Sequence, residues 1–289
     1  MNVATTDTTL ERAFTPTGAG GWAWARVLFA LAALAAHLDR VVSIRDALVA
    51  PTMVLASGPT VLAREVLMSG AAAWATWALG LVGIAGMLAG SRFARAGLLL
   101  WFVSHAGVLL GCGLNVRAPE RLILFLVVAL LASPFAERGL DQKARSPFAR
   151  WLLLIVYASL YGSTGWMKLL EEPGWRSGEV LAYDLVDRWH AGGALAAWLS
   201  GHPLLCALLG WGTVAFEATF PFLVLFPPAN PWVLLAGVAM HGTIGALMDV
   251  GALGTMALAM YPVLLDPERG RLLSARLLAR FPWLARMYR

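Results

Sequence analysis

Charged residues are scarce in this sequence. They make up 13% of its 289 residues, against about a quarter in typical soluble proteins. Hydrophobic residues reach 59%, and the mean hydropathy is +0.70. Such a composition excludes an ordinary soluble domain and predicts an all-α protein that crosses a membrane several times.

Cysteine and lysine are also rare. Two cysteines, Cys112 and Cys206, exclude a disulfide framework and a cysteine-rich metal site. Both fall near the outer ends of predicted spans, so one disulfide between them is conceivable. The five histidines lack metal-ligand spacing, and we expect no metal. Phosphate-binding loops, dinucleotide fingerprints, nucleophile elbows and zinc-protease motifs are missing, which excludes the corresponding soluble enzymes.

Long apolar runs divide the chain into predicted membrane spans. A span needs about twenty mostly apolar residues to cross about 30 Å of hydrocarbon. Eight segments qualify, although the fourth is short. They are residues 21–38, 68–89, 93–114, 119–135, 148–168, 203–228, 231–248 and 250–266. The sequence therefore predicts a bundle of about eight transmembrane helices over residues 21–266.

Lysine and arginine indicate the orientation of this bundle. If residues 1–20 form a cytoplasmic tail, thirteen of these cations lie inside and eight outside, with Arg26 within the first span. The positive-inside rule then places both termini in the cytoplasm. Residues 267–289 combine arginines with leucines as a basic amphipathic helix, suited to an anionic inner leaflet. The net charge of +5 is thus assigned to lipid and not to nucleic acid.

Two extracytoplasmic segments are long enough to be structured. Residues 39–65 contain Pro51, Gly58 and Pro59, which predicts short helices broken by turns. Residues 171–202 begin at Pro173-Gly174 and carry an apolar stripe that includes Leu181 and Leu185. We expect interfacial helices that cover the outer mouth of the bundle.

Ionisable residues at membrane depth are costly and are candidates for function. Glu217 lies about 21 Å into a span at 1.5 Å per residue, a depth similar to that of Arg26, so we expect a buried Arg26–Glu217 ion pair. Four others lie in the outer half, where a shared pocket could form: His37, Lys168, His241 and Asp249. His241 could equally be a core histidine bonded to a neighbouring helix.

Lys168 is one of only two lysines beside twenty arginines. On a helix, Tyr157, Tyr161 and Lys168 fall within about 40° of one another, so two phenols and an amine would line one wall. A lysine can give up its proton where an arginine cannot, which is consistent with a base at this position. A snorkelling membrane anchor is the alternative.

Two short stretches carry a resemblance. The pattern Tyr161-x3-Gly165-x2-Lys168-Leu169, followed by Trp175-x2-Gly178, resembles the central signature of the vitamin K-dependent gamma-carboxylase family and its bacterial relatives, the horizontally transferred transmembrane (HTTM) domain proteins. A second stretch, His241 with Gly251 ten residues on and a closing span through Tyr261, matches independently. The resemblance covers roughly residues 20–266 and implies a protein of the bacterial inner membrane.

The resemblance implies an activity. In that family the matching lysine deprotonates vitamin K hydroquinone, which reacts with oxygen to form the epoxide. Lys168 would be this base, and we infer for His241 a hydrogen bond to a quinone oxygen. The substrate would be reduced vitamin K or a menaquinone-type hydroquinone, and Tyr157, Tyr161, Trp175, His37 and Asp249 would line its pocket.

Three departures from the family pattern bear on substrate handling. Met167 stands where a second lysine is expected, and Trp175 lies two residues further along. The carboxylases also carry a large soluble domain that binds the propeptide of a secreted protein, and we expect none of that size here. The sequence therefore favours hydroquinone epoxidation over propeptide-directed carboxylation. The alternatives are a non-catalytic accessory to secreted-peptide maturation and a small-molecule carrier, although no internal repeat supports a carrier.

Overall fold

The computed structural model describes residues 20–49, 70–90, 92–111, 118–136, 147–187, 193–248 and 253–282, and the protein is all-α. The first helices are α1 (Gly20–Val49), α2 (Gly70–Ala89), α3 (Arg92–Gly111) and α4 (Ala118–Leu131). After a 3-10 turn at Pro134–Ala136 come α5 (Phe148–Leu170), α6 (Pro173–Ser177), α7 (Glu179–Asp184) and α8 (Ala194–Ser200). The last are α9 (Pro203–Leu223), α10 (Asn230–Leu247), α11 (Leu253–Ala259), α12 (Tyr261–Leu264) and α13 (Pro267–Arg280).

The long helices coincide with the apolar segments of the sequence. Helices α1 to α5, α9 and α10 fall on the first seven predicted spans, and α13 on the predicted amphipathic tail. By length and composition, α2 and α9 are apolar enough to cross a membrane, and Leu122–Leu131 is a shorter apolar helix.

The eighth predicted span is not one continuous helix. It is divided into α11 and α12 by a turn at Met260, and Pro262 lies in the first turn of α12. Proline has no N–H to donate, and its ring clashes with the carbonyl four residues earlier, so Pro262 favours a break between α11 and α12. The prediction of a single helix over residues 250–266 is therefore wrong.

Helix α1 is longer than expected. It continues to Val49, so residues 39–49 are helical instead of a chain of short helices and turns. No glycine or proline interrupts this stretch before Pro51. Ile44, in the added part, is buried against Ala73 of α2 and Val108 of α3. Burial of this apolar face accounts for the extension.

Two helix pairs and a central helix organise the packing. Helix α2 packs along α3, and α5 packs along α9. Helix α1 contacts both helices of the first pair, α2 and α3. It also contacts three helices near the C-terminus, namely α11, α12 and α13. One large apolar core joins residues of α1, α5 and α9, including Phe29, Tyr157 and Phe220. The candidate site lies on the α5–α9 pair.

Candidate functional site

Helix α5 carries the predicted stripe. Tyr157 and Tyr161 are buried in the core, and Lys168 lies in the last turn of the helix, two turns beyond Tyr161. The two phenols therefore lie within the packed core, and their predicted place in the wall of a substrate pocket stays a prediction. Both side chains face the neighbouring helix α9.

Close packing of α5 on α9 sets the register between the two helices. A Cβ atom at Gly165 would overlap the backbone of Glu217 and Ala218, so only glycine allows this approach. The contact places Glu217 beside the last turn of α5. Lys168, three residues beyond Gly165, is therefore within reach of the Glu217 carboxylate.

Lys168 and Glu217 form a bidentate ion pair. The Lys168 ammonium donates to Glu217 Oε1 at 2.9 Å and to Oε2 at 2.8 Å. Side-chain exposures of 13% and 10% show that both groups are largely withdrawn from solvent. A charge-assisted pair in such surroundings is stronger than a surface pair, because little water competes for its hydrogen bonds.

Trp175 covers this pair. Lys168 Nζ lies 4.2 Å from the centroid of the Trp175 ring, within the range of a cation–π contact. Trp175, predicted as a residue of the quinone pocket, thus lies beside Lys168. The short helices α6 and α7 extend this cover, and Leu185 anchors them in a small apolar cluster with Leu199 and Leu247.

Two glycines hold the covering segment against α9. Gly178 has φ +83°, a left-handed conformation that glycine adopts without strain, and a Cβ there would overlap Cys206 and Ala207. A Cβ at Gly210 would overlap the carbonyl oxygen of Trp175. The N-terminal part of α9 is therefore flanked by α6 and α7, and Trp175 is fixed against Lys168.

A second cluster of polar side chains surrounds Tyr161, two turns before Lys168 on α5. Tyr161 Oη is 2.6 Å from His241 Nε2 of α10 and 3.2 Å from Tyr261 Oη of α12. Tyr157 Oη donates to the carbonyl of Ala257 at 2.6 Å. These contacts join the two stretches of sequence that carry the resemblance, although they are eighty and one hundred residues apart.

Aromatic rings that the sequence reasoning missed surround Tyr161. The ring centroids of Phe216 and Phe220 lie 5.2 Å and 4.6 Å from that of Tyr161. Their spacing around Glu217 was the available signal, because positions 216 and 220 share one face of α9. Tyr261 was noted only as part of a closing span. The site therefore combines an ion pair with an aromatic floor.

The predicted ion pair of Arg26 with Glu217 is wrong. Glu217 pairs with Lys168, whereas the Arg26 guanidinium packs against Gly90 at the end of α2. The prediction compared depths counted from the start of each helix. Because α6 and α7 flank the N-terminal part of α9, Glu217 is level with the last turn of α5.

His37 belongs to a different cluster. Its Nε2 donates to the carbonyl of Trp77 at 2.7 Å, and Trp77 Nε1 donates back to the carbonyl of His37 at 2.9 Å. The two rings stack with centroids 5.4 Å apart, and Ser104 of α3 lies nearby, bonded to Thr76. The prediction that His37 shares the pocket of Lys168 and His241 is not supported by these contacts.

Two further predictions concern Asp249 and the cysteines. Asp249 and Cys112 lie outside the described residues. Cys206 is a free, buried thiol whose Sγ donates to the carbonyl of Leu199 at 3.3 Å. Cys206 thus gives no support to the conceivable disulfide with Cys112.

The site thus unites Lys168, Glu217 and Trp175 at the C-terminal end of α5 with Tyr161, two turns earlier, and its partners His241 and Tyr261. An ion pair of this kind can bind a hydroxylated ring, exchange a proton with it and stabilise the resulting oxyanion. No protein-family model, no curated protein and no solved structure matches the chain.

Proposed function

We propose that this protein is a multi-pass protein of the bacterial inner membrane, with about eight spans and both termini in the cytoplasm. Helices α2 and α9 support this proposal by their length and composition. Large apolar side chains are also exposed along several helices, among them Val82, Val103, Leu208 and Trp232. Exposed apolar surface on this scale is costly in water and favourable in lipid.

We further propose that the chain is a carboxylase-like HTTM protein that oxidises a reduced naphthoquinone at the extracytoplasmic face. Vitamin K or menaquinone-type hydroquinone and oxygen would give the quinone epoxide and water. The observation that carries the proposal is the Lys168–Glu217 pair, held beneath Trp175 and next to Tyr161. Five matched positions of the first motif contribute to this arrangement or to the packing that fixes it, namely Tyr161, Gly165, Lys168, Trp175 and Gly178.

The residues of the site fit a hydroquinone head. The ion pair supplies a proton acceptor and a cation for the oxygen that loses its proton. Tyr161, two helical turns from Lys168 along α5, and its partner His241 supply further hydrogen-bonding groups. The buried Phe216 and Phe220 rings make the surroundings of Tyr161 apolar, and the isoprenoid tail of the substrate would remain in lipid.

The proposal is tested with purified protein in nanodiscs, supplied with menaquinol and oxygen. Epoxide formation, measured by chromatography, should occur with the wild-type protein and should be lost in Lys168→Ala. The matched control is Lys143→Ala, which removes the only other lysine. Equal turnover in wild type and Lys168→Ala would remove Lys168 from the mechanism.

Carboxylation is a separate step, which the same preparation can test. Labelled carbon dioxide and a glutamate-containing secreted peptide would be added to a preparation that forms epoxide. Incorporation of label that depends on menaquinol would extend the function to carboxylation. If the folded wild-type protein in nanodiscs forms no epoxide, the non-catalytic accessory or the carrier would instead be favoured.

The topology has its own test. In a background of Cys112→Ser and Cys206→Ser, a single cysteine at Arg176 should react with an impermeant thiol reagent added outside the cell, because Arg176 lies in the predicted outer segment. A cysteine at Arg280 should react only after the membrane is opened. The reverse labelling pattern would reject the orientation.

A further inference from the structure

We infer that Glu217, and not Lys168, accepts the proton of the hydroquinone, while Lys168 remains an ammonium ion that stabilises the oxyanion. This inference rests on the proposed function, and it divides the work of the ion pair between its two members. It differs from the role that the resemblance implies for Lys168, in which the lysine amine is the base.

The surroundings of Lys168 Nζ match an ammonium ion. An ammonium has three N–H donors and no acceptor. Two of the donors are used by Glu217 Oε1 and Oε2, and the Trp175 ring face lies 4.2 Å away. A neutral amine has only two N–H donors. With both directed to Glu217, its lone pair would take the third position, near the negative face of the Trp175 ring, and that contact is repulsive. Lys168 therefore has no lone pair available for a substrate proton.

Glu217 keeps unused acceptor capacity. A carboxylate has two oxygens with about four lone-pair sites. Within the described part of the chain, the only hydrogen bonds that its oxygens accept come from Lys168. Each oxygen therefore has a lone pair left for an incoming hydroxyl. The Glu217 side chain keeps 10% of its surface exposed.

The proton transfer conserves the charge of the site. The substrate O–H bond breaks, its electron pair stays on the substrate oxygen, and the proton forms a new O–H bond with a Glu217 oxygen. Glu217 becomes a neutral acid, and the Lys168 ammonium turns from the former carboxylate to the new oxyanion. One cation and one anion are present before and after the step. No isolated charge is created in apolar surroundings, where such a charge is very costly.

Two substitutions separate the roles. Lys168→Arg keeps a cation but provides a group that does not act as a base, because the guanidinium stays protonated. Glu217→Gln keeps the size of the side chain and removes the base. We expect menaquinol epoxidation to fall by about 100-fold or more in Glu217→Gln and Lys168→Ala, and by much less in Lys168→Arg. Turnover as low in Lys168→Arg as in Lys168→Ala would assign the base to Lys168 and overturn the inference.

Arginine is larger than lysine, so a measurement independent of turnover accompanies these variants. The chain has only two lysines, and Lys143→Arg leaves Lys168 alone. Nitrogen-15 resonance spectroscopy of labelled lysine in nanodiscs at neutral pH then reports the charge of its Nζ directly. We expect the ammonium signal with three attached protons. A neutral-amine signal would overturn the inference whether or not the protein turns over menaquinol.

The two proposals fail in different ways. If the wild-type protein forms no epoxide, the proposed function is rejected, and with it the role of Glu217 as a base. If the wild-type protein is active but Glu217→Gln is equally active, the inference alone is overturned. Size-exclusion profiles and thermal unfolding of each variant establish that the compared proteins are folded.

Discussion

The hydroxyl of Tyr161 and Nε2 of His241 lie 2.6 Å apart and connect α5 with α10. The same hydroxyl lies 3.2 Å from that of Tyr261 on α12. A tyrosine hydroxyl has one proton, so Tyr161 donates to one of these neighbours and accepts from the other. One oxygen atom thereby ties three helices together beneath the Lys168–Glu217 pair.

Tyr161→Phe should weaken both stability and turnover. The substitution removes the hydroxyl and leaves His241 Nε2 without this partner, which costs about 1–3 kcal/mol for a buried polar group. Thermal unfolding in detergent measures the first effect, and menaquinol epoxidation measures the second. The matched control is Tyr183→Phe, because Tyr183 is 67% exposed and should tolerate the loss of its hydroxyl. Equal unfolding temperatures for the two variants would show that the Tyr161 hydrogen bonds contribute nothing.

The close contact at Gly165 predicts that two matched glycine-to-alanine variants change stability in opposite directions. Gly165→Ala places a methyl group against the backbone of α9, and forced overpacking of this kind typically costs about 1–3 kcal/mol. Gly212→Ala, on α9, meets no atom within 4 Å and should stabilise its helix by about 0.5–1 kcal/mol. The measurement is the unfolding temperature of each variant.

The Gly165 variant also tests the register on which the site depends. Separation of α5 from α9 should lengthen the Lys168–Glu217 contact and reduce epoxidation, whereas Gly212→Ala should leave turnover unchanged. A Gly165→Ala protein that keeps both wild-type stability and wild-type turnover would contradict the packing described here.

Helical elements were predictable because they follow from local pattern. Apolar runs located α1 to α5, α9 and α10, and the spacing of positions 157, 161 and 168 placed both phenols and the lysine on one face. The turn at Met260 was missed although Pro262 was visible, since hydropathy alone does not register a missing N–H.

The partners of the charged residues were not predictable from depth along a helix. Glu217 and Arg26 were paired because both were counted to a similar level, but the level of one helix against another is set by tertiary contacts. Here that contact is the approach at Gly165, together with the fit of Gly210 against Trp175. The same holds for His37. Its predicted level in the membrane did not determine whether its side chain faces α5 or Trp77.

Trp175 should shield Lys168 from reagents. Trp175→Leu removes the aromatic face, and a cation–π contact contributes about 0.5–2 kcal/mol. Acylation of Lys168 by an amine-reactive reagent, followed by mass spectrometry, should be faster in Trp175→Leu than in wild type, and Lys143 serves as the internal reference. Trp175→Phe keeps a smaller ring and should give an intermediate rate. Identical rates in all three proteins would mean that Trp175 does not cover the amine.

His37 should contribute to stability without contributing to turnover. His37→Phe removes the donor to the Trp77 carbonyl in the reciprocal pair of hydrogen bonds between α1 and α2, at a cost of about 1–3 kcal/mol. The exposed His202, which bonds the Trp198 carbonyl within its own segment, provides the control His202→Phe with a smaller loss. Epoxidation per folded molecule should equal that of the wild-type protein, because the contacts of His37 lie on α2 and α3 and not on α5 or α9. If turnover falls by more than the amount of folded protein, His37 contributes to the substrate pocket, as the sequence predicted.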